Sequence, residues 1–305
     1  MQYEQKHVFA VWGPPIGGKT TFAVNLAVVL ADSGYLTCLV SATDHGELQA
    51  FLGTAIPKNK GLYAAISNGR HVREALTEAR PNLYILEQDT GGDAYDIANI
   101  TPGQVKHMLD DLRDHFTYVI IDCTNYKESV FTGIGLVEAD KVTVCIPHRA
   151  SAATWHIANA QMLEAIADKT LFIDCNTKEG GCNMEQLLAS IDLPECDFKL
   201  PRVTTAYLCE NIAQPIVLKN GREERRYKDA VLELARFLLE IEDRERADKK
   251  AKKQKKEKKS IFAATERESD GIRTKKISKR AQRKAEEEAM RQAQMAYSYD
   301  DDDED

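Results

Sequence analysis

The sequence has no run near the roughly 20 apolar residues that a bilayer crossing needs, and no internal repeat. It has two tryptophans and no Cys-x-x-Cys pair. Its seven cysteines are odd in number: Cys38, Cys123, Cys145, Cys175, Cys182, Cys196 and Cys209. Several lie inside apolar runs such as Val144-Cys145-Ile146. That usage argues against a disulfide scaffold and gives little support to a zinc site, so buried reduced thiols are expected. The opening Met1-Gln-Tyr-Glu-Gln-Lys6 leads straight into an apolar run, without the pattern of a secretory leader. A cytoplasmic protein is the expectation. No Asn-Lys-x-Asp motif is present, which argues against guanine specificity.

The net charge of −7 conceals an uneven distribution. Residues 243–284 hold 18 Lys/Arg against 7 Asp/Glu, and residues 285–305 hold one Arg against nine acids. An acidic body, 1–242, therefore precedes a charged extension, 243–305, with a basic arm and an acidic tip. Such blocks cannot bury enough apolar surface to order themselves, so a disordered segment or a lone helix is expected there. The arm includes Lys249–Lys259, with eight lysines, and the tip ends in Asp300–Asp305, all acids. Three readings of the arm stay open: a solvated tail, contact with an anionic membrane surface, or sequence-independent contact with nucleic acid.

The first 242 residues alternate between strand and helix patterns. Strands are expected at His7–Trp12, Leu36–Val40, Leu83–Leu86, Tyr118–Asp122, Lys141–Ile146 and Leu171–Cys175. Each is a continuous apolar run rather than an in/out alternation, which is the pattern of a parallel sheet covered on both faces. Helices are expected after residue 21, at Gly46–Leu52, His71–Ala79, Thr101–His115, from Ser151 through Ile166, at Glu185–Ser190 and at Val231–Ile241. Thr101 fits an N-cap with Pro102 at the first helical position. The fold class is α/β: a doubly wound, mostly parallel sheet in three layers.

One segment carries chemistry. Gly13-Pro-Pro-Ile-Gly-Gly-Lys-Thr-Thr21 fits the P-loop pattern and stands between an expected strand and an expected helix. A loop of that kind turns backbone amides toward phosphate at a helix N-terminus, where the helix dipole favours anions. Gly17 and Gly18 let the backbone approach closely. Lys19 is placed to reach the terminal phosphates and Thr20 to ligate Mg²⁺. Asp122 ends an apolar strand at the edge where ligands sit in open α/β sheets, and is the second metal candidate.

These residues resemble the MinD/ParA family of P-loop ATPases over roughly residues 5–240. Phe116-Thr-Tyr-Val-Ile-Ile-Asp122 resembles the family's Walker B strand, and Leu39-Val-Ser-Ala-Thr-Asp-His-Gly46 its switch I segment. Glu138–Pro147 followed by Ser151 resembles the next strand and loop. Within the family, Val11–Thr21 is most similar to TadZ/CpaE-like proteins of pilus assembly. The resemblance implies ATP and Mg²⁺ as ligands, a homodimer, pilus or secretion assembly proteins as partners, and a place at the inner face of the membrane. It also implies an adenine contact for Asn176. The nucleotide-binding set is then Gly13, Gly17, Gly18, Lys19, Thr20, Thr21 and Asn176, with Thr20 and Asp122 on the metal.

The departures matter. The family's additional P-loop lysine falls at Pro14, and its switch I aspartates fall at Ser41 and Thr43. A hydroxyl is no general base at neutral pH. Asp44 is one residue away and is the candidate substitute, beside Lys19 and Asp122, for a catalytic role. Slow hydrolysis or none is expected. The rival readings are a ParA-type DNA-segregation ATPase, a small-molecule kinase using Arg222, Arg225 and Arg226, and a scaffold with an empty site.

Overall fold

The computed structural model describes residues 7–43, 46–67, 71–89, 99–176, 180–239, 283–284 and 286–288. The chain divides into two units, Met1–Leu238 and Leu239–Asp305. The lysine run, the acidic tip and the expected boundary at 242 lie outside the described residues.

The first unit is built on an eight-stranded sheet in the order β3-β4-β2-β5-β1-β6-β7-β8. The strands are β1 His7–Trp12, β2 Thr37–Ser41, β3 Thr77–Arg80, β4 Leu83–Leu86, β5 Tyr118–Asp122, β6 Lys141–Pro147, β7 Thr170–Cys175 and β8 Phe198–Leu200. β3 runs antiparallel to β4, and every other pairing is parallel. β1, β2 and β5 are buried at every position, as strands covered on both faces must be. In a parallel sheet the strand ends share one edge. The segments that follow β1, β2, β5, β6 and β7 therefore meet there.

Helix α1, Lys19–Asp32, follows β1 and buries every residue from Phe22 to Ala31. Its interior Asn25 donates to the Thr21 carbonyl at 2.6 Å and accepts from the Val217 amide at 2.9 Å, so its buried polar atoms are satisfied. Helix α2 is Glu47–Leu52, α3 Leu62–Ser67 and α4 Val72–Ala75. Helix α5, Pro102–His115, starts as its sequence demands: Thr101 caps it in a reciprocal capping box with Gln104. Helix α6 is Val130–Glu138, α7 Ala150–Ala158, α8 Ala160–Ala165, α9 Met184–Ala189 and α10 Ala206–Asn211. A last helix, α11, covers 222–239, beginning nine residues before the expected start at Val231.

Three expectations are corrected. The helix expected over His71–Ala79 is a four-residue helix followed by strand β3. The apolar spacing at Val72, Ala75 and Leu76 fits helix, but a turn at Pro81-Asn82, with Asn82 at φ 63°, folds β4 back onto the preceding residues, which pair with it as β3. The helix expected to start at Ser151 begins at Ala150, after Arg149. The long helix from Ser151 to Ile166 is broken at Asn159, whose amide side chain donates to the Trp155 carbonyl at 2.8 Å. That local bond competes with the helix ladder.

Candidate functional site

The loop from Gly13 to Gly18 leaves β1 and enters α1. Gly13 has φ 147°, and a Cβ there would stand 2.5 Å from the Cys145 carbonyl oxygen, so only glycine lets the loop lie against β6. Gly18 adopts φ 79° as the residue before α1. Besides Gly13 and Gly18, the positive φ in the loop falls on Ile16, at 57°, and not on Gly17. Gly17 is required for another reason: a Cβ on it would meet the Pro14 carbonyl oxygen at 2.9 Å. Pro14 is buried and Pro15 exposed.

No side chain caps α1, and its first turn carries no acid. The first intrahelical bond runs from the Phe22 amide to the Gly18 carbonyl. The amides of Lys19, Thr20 and Thr21 precede it and have no partner within the helix. Anionic oxygens are what such a helix end accepts. Lys19 folds over the loop, its Nζ donating to the Pro14 carbonyl at 3.0 Å.

Thr20 and Asp122, 102 residues apart in sequence, come together. The Thr20 hydroxyl lies 2.7 Å from Asp122 Oδ2. Asp122 is 1% exposed, and its Oδ1 is buried without a hydrogen-bond partner. Burial pushes its carboxyl up to about 7, with the Thr20 hydrogen bond and the Lys19 charge acting the other way. A buried carboxylate oxygen with unused lone pairs, beside a threonine hydroxyl, is a donor set that suits a hard divalent cation.

Two carboxylates absent from the sequence reading complete this region. Glu47, the first residue of α2, has Oε2 3.1 Å from the Thr20 hydroxyl. Glu87, just past β4, is fully buried and accepts from the amides of Leu48 and Gln49 at 2.7 and 3.1 Å. Burial raises its carboxyl to about 7. The one available signal was an acid ending the apolar run Leu83-Tyr-Ile-Leu86, the same pattern that marked Asp122.

At the switch I position, Ser41 and Thr43 bond each other through their hydroxyls at 2.6 Å. Asp44 lies outside the described residues. After Asp122, the Thr124 hydroxyl is 2.9 Å from that of Thr132, and Trp155 Nε1 donates to the Asn125 carbonyl at 3.0 Å. Trp12, expected in the core, is buried and meets Trp155 edge to face. Asn176 follows β7 at the same sheet edge as the P-loop. One residue before Cys175, Asp174 is buried and bonds His148 at 2.6 Å, with Lys199 at 3.5 Å. Thr21 sits in the first turn of α1, and Arg222, Arg225 and Arg226 are exposed on α11. All seven cysteines are free thiols, five of them buried. Among the described residues no helix is long and apolar enough to cross a membrane.

Residues 17–156 match the family model described as AAA domain. The chain is 33% identical over 123 residues to the septum site-determining protein MinD of Bacillus subtilis, covering 37% of this chain and 44% of that protein. It is 27% identical over 132 residues to the chromosome-partitioning ATPase Soj of Treponema pallidum, covering 42% of this chain and 51% of that protein. The matches thus span about half the length of these curated relatives. Among solved structures, MinD of Pyrococcus horikoshii complexed with Mg-ADP superposes with a TM-score of 0.63 at 18% identity, covering 76% of this chain and 96% of that one. The eight-stranded, mostly parallel sheet with helices on its faces is the MinD/ParA P-loop NTPase fold.

Proposed function

We propose that this chain, MinD/ParA-like in its P-loop sequence and in its fold, binds ATP with Mg²⁺ and uses the nucleotide as a conformational ligand rather than as fuel. The observation that carries the reading is the pairing of Thr20 with the buried Asp122 at the uncapped start of α1. In this reading the amides from Gly17 to Thr21 cradle the polyphosphate with Gly13 shaping the loop, Lys19 holds the terminal phosphate, and Thr20 and Asp122 hold the cation. Asn176 contacts the base. Bound Mg²⁺ supplies neutralising charge beside the phosphates.

Weak hydrolysis follows from the switch I position. Ser41 and Thr43 satisfy each other, and neither hydroxyl can accept a proton from water at neutral pH. Asp44 is the remaining carboxylate of that segment. The TadZ/CpaE-like resemblance of Val11–Thr21 supports a role as a nucleotide-dependent localisation or assembly factor for a pilus or secretion system. The working unit in this reading is a homodimer at the cytoplasmic face of the membrane, with the Lys249–Lys259 arm meeting anionic lipid or nucleic acid.

The test is calorimetric titration with ATP and ADP in the presence of Mg²⁺, followed by a phosphate-release assay with and without DNA and anionic vesicles. Binding with negligible release supports the proposal. DNA-stimulated release supports a segregation ATPase, and absence of binding heat supports an empty scaffold. Lys19→Ala should abolish binding, and parental affinity in that variant would overturn the site.

A further inference from the structure

We propose that Glu47 joins Thr20 and Asp122 in a divalent-cation site that forms before any nucleotide arrives. The proposal deepens the reading above, because it takes Thr20 and Asp122 as that reading's metal ligands and adds a residue from another element.

The first argument is a count of protons at Thr20. The Thr20 hydroxyl lies 2.7 Å from Asp122 Oδ2 and 3.1 Å from Glu47 Oε2. A hydroxyl has one proton and serves one acceptor at a time. At Thr20, therefore, two carboxylate oxygens face a single proton. Lys19 offsets part of that charge from the loop side, while Glu87 adds to it from β4. A dication in contact with all three oxygens removes the conflict.

The second argument is geometric. Adjacent oxygens around an octahedral Mg²⁺ with bonds of about 2.0–2.1 Å stand about 2.9 Å apart. The two separations at Thr20 bracket that value. The third is the orphaned Asp122 Oδ1, buried with no partner in a side chain that is 1% exposed. A native interior rarely leaves such an atom unused.

The fourth argument is that Glu47 is held in place. Glu87 ties down the amides of Leu48 and Gln49. Gln49 in turn donates to the Gln88 carbonyl and accepts from the Ile56 amide. The end of β4 thus presents Glu47 to the P-loop, and little ordering remains for the cation to impose. Mg²⁺ sites of nucleotide-binding proteins ordinarily use one or two carboxylates and complete themselves with substrate phosphates. Here three elements of the chain, α1, α2 and β5, supply oxygens without the phosphate. Cation binding then also pins α2 to the P-loop.

The experiment is a Mn²⁺ titration of the nucleotide-free full chain, read by loss of the free-ion electron paramagnetic resonance signal, with Mg²⁺ as competitor. One competable site is expected. Glu47→Gln should weaken Mn²⁺ binding by about tenfold or more, as should Asp122→Asn, whereas Glu47→Asp should lose less than the glutamine variant. Any cation held by Asp300–Asp305 is common to all variants and cancels. A parent that takes up no competable Mn²⁺ overturns the proposal, as does a Glu47→Gln chain within about twofold of it or an Asp variant no better than the Gln variant. Because the titration contains no nucleotide, its outcome is separate from whether Lys19→Ala abolishes ATP binding.

Discussion

Ser41 stands directly across from Asp122 in the β2–β5 register, yet its hydroxyl is engaged with Thr43 at 2.6 Å and not with that carboxylate. Asp122 is left with Thr20 as its hydrogen-bond donor on one oxygen and nothing on the other. The site therefore holds a carboxylate that a cation would welcome and that the fold tolerates at a cost.

Asp122→Asn should accordingly stabilise the nucleotide-free protein and disable it. The folded carboxyl sits at about 7 against an ordinary 3.8, so the folded state holds its proton longer than the unfolded one. Stability is then lost as pH rises from about 4 to about 7. The asparagine variant escapes that loss. Urea unfolding at pH 8 should show it more stable than the parent by about 1–3 kcal/mol, with the difference gone at pH 4. An equal gain at both pH values would show that charge is not the cause.

Glu87 gives a second, separable pH signature. Its folded value of about 7 lies above the ordinary 4.5, so it too makes the parent less stable between roughly pH 5 and 7. Glu87→Gln keeps an oxygen for only one of the Leu48 and Gln49 amides and turns its NH2 toward the other, a loss of about 1–3 kcal/mol. The variant should be the weaker protein at pH 5, and its deficit should shrink or reverse by pH 8. A melting-temperature gap that stays constant across that range contradicts this account.

Much of the architecture was readable because local and global signals agreed. The runs His7–Trp12 and Tyr118–Asp122 are apolar throughout, and buried parallel strands need that. Thr101, Pro102 and Gln104 spell a helix start. The failures are places where a partner outside the segment decided. Thr77–Arg80 became a strand because β4 was there to pair with it. Glu47 and Glu87 were missed because their meaning lies in neighbours across the fold: Thr20 for one, the amides of α2 for the other. In the P-loop Gly18 is left-handed, and so is Ile16, a β-branched residue whose propensity gives no hint of it.

Ile16 offers a test of stored strain. It is β-branched at φ 57° and 72% exposed, so it bears the conformational penalty with little packing in return. Ile16→Gly relieves a penalty of about 1–2 kcal/mol and adds about 0.5–1 kcal/mol of backbone entropy cost. A small rise in melting temperature is expected. A fall of several degrees would mean that the isoleucine makes contacts its exposure does not suggest.

Asn25 ties the helix that carries the site to a segment 192 positions away. Its Oδ1 accepts from the Val217 amide at 2.9 Å, and its side-chain nitrogen donates to the Thr21 carbonyl at 2.6 Å. Asn25 is fully buried and Val217 is 2% exposed, so water cannot replace either bond. Asn25→Ala leaves the Val217 amide without a partner and a small void beside α1. The loss should be about 2–3 kcal/mol, since an unsatisfied buried donor costs most of its desolvation. Asn25→Asp keeps the acceptor but places a charge in the core, and should destabilise at least as much at pH 7. Lowering the pH should restore part of that loss in the aspartate variant and none in the alanine variant. If urea midpoints of both variants match the parent, the bond to Val217 is not holding α1 in place, and its apolar packing alone does so.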